Sequence, residues 1–221
     1  MPQFAASWSG GKDSCFALYK AHLSGLRVSH LLNMVNKDVN RSMSHGLDCR
    51  LLASQSQAME VPVVQRKATW DTYEQEFKSA VQELKKAGVE GIVFGDIELE
   101  GHRGWIESVC AELDVTPIMP LWGAAPVELL LEFISEGFEA IVVSAKSDYF
   151  GQEWLGRKLD EGFITELRRC KTGVHPCGEY GEYHTLVTNG PLFKKGVQIL
   201  KSRKVLKDGY WFLDLSSWRL T

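Results

Sequence analysis

Six consecutive residues, Ser9-Gly10-Gly11-Lys12-Asp13-Ser14, carry the strongest chemical signal in this 221-residue chain. They follow a short apolar run, Phe4-Ala5-Ala6-Ser7-Trp8, and precede an amphipathic stretch that opens at Cys15. A strand, a glycine turn and a helix start are the reading. Two glycines let the backbone approach an anion closely, the helix N-terminus offers unpaired N–H groups and a positive dipole end, and Lys12 adds a point charge. The chemistry implied is phosphate binding, with Ser9 and Ser14 as hydroxyl donors. A Walker A loop is excluded: it needs Ser or Thr after the lysine and a glycine five residues before its second glycine, where this chain has Asp13 and Ala6.

Three further groups can add chemistry. In Arg41-Ser42-Met43-Ser44-His45-Gly46, Arg41 can meet phosphate oxygens and His45 can face a nucleotide or a reacting carbonyl. The same residues also read as a helix entry, with Ser44 near the cap and Gly46 turning the chain. Gly95-Asp96-Ile97 closes an apolar run, and a carboxylate there can hold Mg²⁺ or a ribose hydroxyl, a task Asp13 can share. Glu98 and Glu100, just beyond, read as a solvated face. In Cys177-Gly178-Glu179-Tyr180-Gly181-Glu182-Tyr183-His184-Thr185, Glu179 and Glu182 can orient ammonia, bind metal or accept a proton, and His184 can do acid–base work near neutrality. Cys170, His175 and Cys177, crowded around a proline, do not match tetrahedral zinc spacing. Cys177 has no base that the sequence identifies, which argues against a nucleophile.

These residues need elements to place them. Strands are expected at Phe4–Trp8, Val28–Val35, Pro62–Lys67, Ile92–Asp96, Pro117–Pro120 and Ala140–Ser144. Helices are expected near Cys15–Leu23, Leu47–Met59, Thr72–Ala87, His102–Leu113, Pro126–Ser135 and Leu155–Cys170. This alternation describes an α/β, doubly wound, mostly parallel sheet whose post-strand loops gather on one edge. From about Lys146 the rhythm changes, and the tail from Leu192 to Leu220 is rich in strand formers. Two units are expected, 1–145 for phosphate binding and 146–221 as a smaller, β-rich unit facing the substrate.

Bulk composition narrows the class. A formal net charge of −3 argues against a broad nucleic-acid or membrane footprint, and 44% apolar residues suffice for a sizeable core. No run approaches the ~20 apolar residues of a spanning helix, and no signal peptide opens the chain, so the cytoplasm is the expected location. Five scattered cysteines without a C-x-x-C pair read as reduced thiols. The seven tryptophans and Gly209-Tyr210-Trp211-Phe212 read as packing residues, because adjacent basic residues are few.

The loop Ser9–Ser14 resembles the PP-loop of ATP pyrophosphatases. Together with His45-Gly46, Gly95-Asp96-Ile97, Pro120-Leu121-Trp122, Trp154-Leu155-Gly156-Arg157, Cys177–Thr185 and Gly190-Pro191-Leu192-Phe193, it resembles the diphthine–ammonia ligase family within the adenine nucleotide alpha hydrolase-like (HUP) superfamily. The resemblance implies a Rossmann-like fold, ATP and Mg²⁺ as cofactors, and AMP-forming amidation of a carboxylate by ammonia, with a homodimer allowed. The acceptor it implies is diphthine, a modified histidine of elongation factor 2. Ser9, Gly10, Gly11, Lys12, Asp13, Ser14, Arg41, His45, Gly95 and Asp96 would then serve the nucleotide, Asp13 and Asp96 the metal, and Asp13, Glu179, Glu182 and His184 catalysis. Tyr180 and His184 stand where the ligases carry a glycine and an acid, which leaves open another acid, such as one of cobalamin metabolism. A tRNA-thiolating enzyme would need paired cysteines and a basic face, and a non-catalytic ATP sensor would bind ATP without releasing AMP.

Overall fold

A computed structural model of the chain describes residues 2–170 and 173–221. The first strand, β1 (Gln3–Ser7), buries Phe4, Ala5 and Ala6 and runs through the glycine loop into α1 (Lys12–Leu23). Gly11, in extended conformation, caps that helix, and its carbonyl accepts from the N–H of Cys15 at 3.1 Å. The helix therefore opens before its apolar pattern does, and Lys12, Asp13 and Ser14 form its first turn rather than the loop ahead of it.

After α1 the chain forms β2 (Arg27–Asn36), parallel to β1, and turns back as β3 (Arg41–Ser42), antiparallel to the end of β2. A hairpin thus occupies what the sequence presents as a polar entry to the next helix. That helix, α2 (Cys49–Met59), is capped by Asp48, whose carboxylate accepts from the N–H of Arg50. Next come β4 (Val63–Ala68), α3 (Tyr73–Lys86), β5 (Val89–Val93), α4 (Glu100–Leu113) and β6 (Thr116–Ile118). The parallel sheet runs β4-β2-β1-β5-β6, with β3 beside β2 past the end of β1. Because β5 ends at Val93, Gly95 and Asp96 lie in the loop beyond it, not in the strand expected at Ile92–Asp96.

Alternation along the strands sends side chains to two cores. Ala5, Leu32, Met34 and Ile92 pack with α3 and α4, whereas Phe4, Ala6, Leu31 and Val93 pack with α1, α2 and the second half of the chain. That half opens with α5 (Pro126–Ser135) and β7 (Glu139–Lys146), followed by α6 (Glu161–Leu167), β8 (Tyr183–Asn189), β9 (Val197–Lys207) and β10 (Tyr210–Leu220). The last four strands form a separate antiparallel sheet in the order β8-β7-β10-β9. Ala140–Ser144, expected as the sixth parallel strand, belongs to this second sheet. A strand covered on both faces reads as one apolar run whichever sheet it joins, so the sequence pattern does not separate the two. The division expected at 145/146 falls inside β7.

The helix expected over Leu155–Cys170 shrinks to α6. Ahead of it Lys158 bridges to Ile141 of β7, and Asp160 caps the helix by accepting from the N–H of Phe163 at 2.7 Å. Pairing to a strand edge outcompetes helix propensity for Leu155–Leu159. Among the described residues no helix is long and apolar enough to cross a membrane.

Candidate active site

A cleft of about 450 Å³ opens at the edge where β1, β2 and β5 end. Its polar half is lined by Ser9, Asp13 and Ser14 from the glycine loop and first turn of α1, by Gly95 and Asp96 after β5, by His45 after β3, and by Glu179 and His184. Its apolar half is lined by Met34 of β2, Tyr73 and Phe77 of α3 and Trp105 of α4, with Trp70, 71% exposed, at the rim.

The loop is held by its own hydroxyls. Ser14 Oγ donates to the Gly11 carbonyl at 3.2 Å, the Gly11 N–H donates to Ser9 Oγ at 3.3 Å, and the two hydroxyls meet at 3.0 Å. Gly10 takes a left-handed φ of 81°, which favours glycine. A β carbon at Gly95 would stand 2.7 Å from the Asp13 carbonyl carbon and 2.8 Å from the Ser14 nitrogen, so only glycine lets the post-β5 loop lie flat on α1. Asp13 and Ser14, whose N–H groups have no acceptor within their own helix, border the cleft, which is what an anion site requires.

Strand β8 of the second sheet is stitched to this loop. The Val187 N–H donates to the Gly10 carbonyl at 3.0 Å, and the Lys12 N–H donates to Thr185 Oγ1 at 3.0 Å. Gln55, fully buried on α2, donates to the carbonyls of Gly10 and Val187 at 3.0 and 2.7 Å and accepts from the Trp8 indole at 3.2 Å. Gln55 and Thr185 are essential to this geometry, yet in sequence they are a helix glutamine and a strand threonine with nothing to mark them.

Five residues expected at the phosphate or catalytic centre do not line the cleft: Gly10 and Gly11 are buried beneath it, and Lys12, Arg41 and Glu182 are engaged elsewhere. Lys12 is only 4% exposed; its ammonium donates to the Cys177 carbonyl and to Asp13 Oδ2 at 2.9 Å, and sits 5.1 Å over the Tyr183 ring. Burial disfavours its charge, but Asp13 together with Tyr183 and Cys177 outweighs that and raises its pKa. Arg41 donates to the Gly46 carbonyl at 2.9 Å and to Asp214 of β10 at 2.7 Å, tying the two sheets together outside the cleft. Glu182, 3% exposed, spends its oxygens on the N–H groups of His175 at 2.8 Å and Tyr180 at 3.0 Å, and so shapes the loop before β8. Buried backbone donors need acceptors, and a carboxylate supplies two at once.

The cleft itself is acidic. Glu179 accepts from the Ile97 N–H at 3.0 Å, and Asp96 accepts from His102 Nδ1 at 3.0 Å. Burial raises the pKa of both carboxyls, with the charge of Asp13 adding to the effect. His45 donates from Nδ1 to the Thr185 carbonyl at 3.1 Å and stacks on His184 with ring centroids 4.5 Å apart. Burial holds His45 well below its usual pKa, and burial with the nearby Lys12 lowers His184 to about 4, so both rings are neutral at pH 7. The loop carrying Glu179 is tied to the segment after Asp96 by the Tyr180 hydroxyl, which donates to Glu98 at 2.8 Å. Cys177 donates its thiol to the Pro126 carbonyl at 3.3 Å, and burial pushes its pKa up to about 12, which removes it from nucleophilic chemistry.

Comparison with known proteins places this arrangement. Residues 2–117 match the model of the diphthamide synthase N-terminal domain, and residues 125–218 match that of the diphthamide synthase C-terminal domain. The diphthine–ammonia ligase of Mus musculus is 31% identical over 242 residues, covering 98% of this chain and 90% of its own length. The Homo sapiens protein of the same name is 31% identical, covering 91% and 84%, and that of Danio rerio is 30% identical, covering 96% and 92%. A solved structure described as a predicted subunit of tRNA methyltransferase from Methanocaldococcus jannaschii overlaps 86% of this chain and 98% of its own, at 16% identity and a TM-score of 0.46.

An α/β fold with a glycine loop at the end of its first parallel strand, together with these relatives, defines an ATP-dependent ligase of the amide-forming class. The chain belongs to the diphthamide synthase family.

Proposed function

We propose that the chain amidates the carboxylate of diphthine on elongation factor 2, using ATP and ammonia and releasing AMP and pyrophosphate in the cytoplasm. One observation carries the reading: a single cleft joins the loop Ser9–Ser14, the Gly95-Asp96 turn and the Glu179 and His184 side chains. Adenylation suits the task, because a carboxylate oxygen is a poor leaving group and AMP a good one. The adenine would suit the aromatic half beside Met34, Tyr73 and Trp105, and the phosphates the wall formed by Ser9 and by Asp13 and Ser14 at the N-terminus of α1.

Asp13 and Asp96 fit Mg²⁺: both are hard oxygen donors lining one cleft, and burial of Asp96, with the charge of Asp13 adding to it, disfavours a carboxylate that a cation would stabilise. When bound, the metal supplies charge neutralisation to the phosphates. Glu179 would orient the acceptor, while Lys12 and Glu182 act by holding the loop and not by touching substrate.

The test incubates the protein with Mg-ATP, an ammonium salt and elongation factor 2 carrying diphthine. AMP and pyrophosphate should appear only with acceptor present, and the acceptor should exchange a hydroxyl for an amino group by mass. ADP and orthophosphate, or ATP binding without acceptor-dependent AMP, would reject the reading.

A further inference from the structure

The amide-forming step needs a proton acceptor beside the attacking nitrogen, and the wall of the cleft next to the glycine loop holds a ring built to be one. His45 is fixed on three sides. Its Nδ1 faces the Thr185 carbonyl at 3.1 Å; a carbonyl can only accept, so the proton sits on Nδ1 and Nε2 carries a lone pair. The Gly11 backbone lies flush against the ring, where even a β carbon would come within 2.8 Å of Nδ1. The His184 ring covers another face at 4.5 Å with an interplanar angle of 30°.

The carboxylates of the cleft are already engaged. Asp13 pairs with Lys12, Asp96 with His102, and Glu179 with the Ile97 N–H. The groups acting on His45 are His184 and Thr185 from β8 and Lys12 from α1; burial, then His184 and Lys12, keep His45 neutral, and burial with Lys12 does the same for His184. Nearby adenylate phosphate would offset Lys12 and raise the basicity of the pair as the reaction requires.

We propose that His45 takes the proton from the attacking nitrogen in the amide-forming half-reaction, with His184 stacked on it as a positioning residue. The inference rests on the amidating function proposed above. The nitrogen lone pair of ammonia forms a bond to the acyl carbon of the adenylate. The bond from that carbon to the phosphate oxygen breaks, its electron pair leaving on AMP. One N–H proton passes to Nε2 of His45 and from there to water, leaving a neutral amide.

The experiment separates the two half-reactions in His45→Asn and His45→Gln. Asparagine keeps an N–H for the Thr185 carbonyl but lacks Nε2; glutamine keeps a polar atom near Nε2 without basicity. Three rates are measured with diphthine-bearing elongation factor 2: acceptor-dependent exchange of pyrophosphate into ATP, amide formation from ammonia, and hydroxamate formation from hydroxylamine, a nucleophile that needs less help from a base. The ratio of ammonia-dependent amide to exchange should fall about 10²–10⁴-fold in both variants, and the hydroxylamine ratio by less than about 10-fold. His184→Ala should lower the ammonia ratio about 10-fold and His184→Phe, which keeps a stacked ring, should restore most of it. An unchanged ammonia ratio, or equal loss of all three rates, overturns the assignment and leaves the amidating function standing. No exchange in the wild-type protein overturns that function and this inference with it.

Discussion

A β carbon at position 95 would meet the backbone of Asp13 and Ser14, neither of which can move without shifting the glycine loop. Gly95→Ala should therefore cost about 1–3 kcal/mol in urea unfolding and weaken ATP binding more than tenfold, since overpacking against backbone cannot relax by a rotamer change. Unaltered ATP affinity by calorimetry would show that the loop tolerates displacement. The stacked imidazoles make a second prediction. His184 titrates near 4 when folded and 6.5 when unfolded, so below pH 6.5 the unfolded chain binds more protons. Stability should be full above about pH 6.5 and fall as the pH drops toward 4, by on the order of 2–3 kcal/mol for this group. In His184→Phe the slope of stability against pH across that window should flatten; an unchanged slope places the titration elsewhere.

At the scale of elements, Gln55 of α2 joins β1, the glycine loop and β8 through three hydrogen bonds in a fully buried position. Gln55→Ala should leave the Trp8 indole N–H without an acceptor and destabilise by about 2–4 kcal/mol, because orphaned buried donors cost their full desolvation. Gln55→Glu offers oxygens where two carbonyls need a donor, and should be worse. Thermal unfolding of both variants checks the order; a tolerated glutamate would mean that the bridging bonds are dispensable. The tie between Tyr180 and Glu98 lies at the surface, Tyr180 being 63% exposed, so its loss bears on the placement of the Glu179 loop more than on stability.

At the scale of the whole molecule the two halves share one of its two cores. The core that contains Phe16 and Leu52 of the first half continues through Val142, Leu186 and Leu213 of the second, so the face of the parallel sheet that carries α1 and α2 is completed by the second half, while α3 and α4 cover the other. A fragment ending at Gly123 should bind the dye ANS and melt without a sharp transition, having lost both the apolar cover and the bonds from Thr185 and Val187 to the loop. A sharp melt of that fragment would show that the parallel sheet folds alone.

What the sequence determined by itself is local and periodic. A glycine pair between an apolar run and an amphipathic stretch dictates a strand, a turn and a helix, and alternating βα segments dictate a parallel sheet whose loops share an edge. Ser9, Asp13, Ser14, His45, Gly95, Asp96, Glu179 and His184 could be named as candidates for that reason, and one cleft collects them. What tertiary structure decided is which way side chains turn and what satisfies them. Lys12 turns inward because Asp13 and the Cys177 carbonyl both accept from its ammonium. Arg41 finds Asp214, 173 positions along the chain, and Glu182 serves backbone N–H groups. Ala140–Ser144 joins the antiparallel sheet because its partners, β8 and β10, come from residues far beyond it. Hydrogen-bond satisfaction and strand pairing depend on neighbours in space, and no periodicity in the chain encodes them.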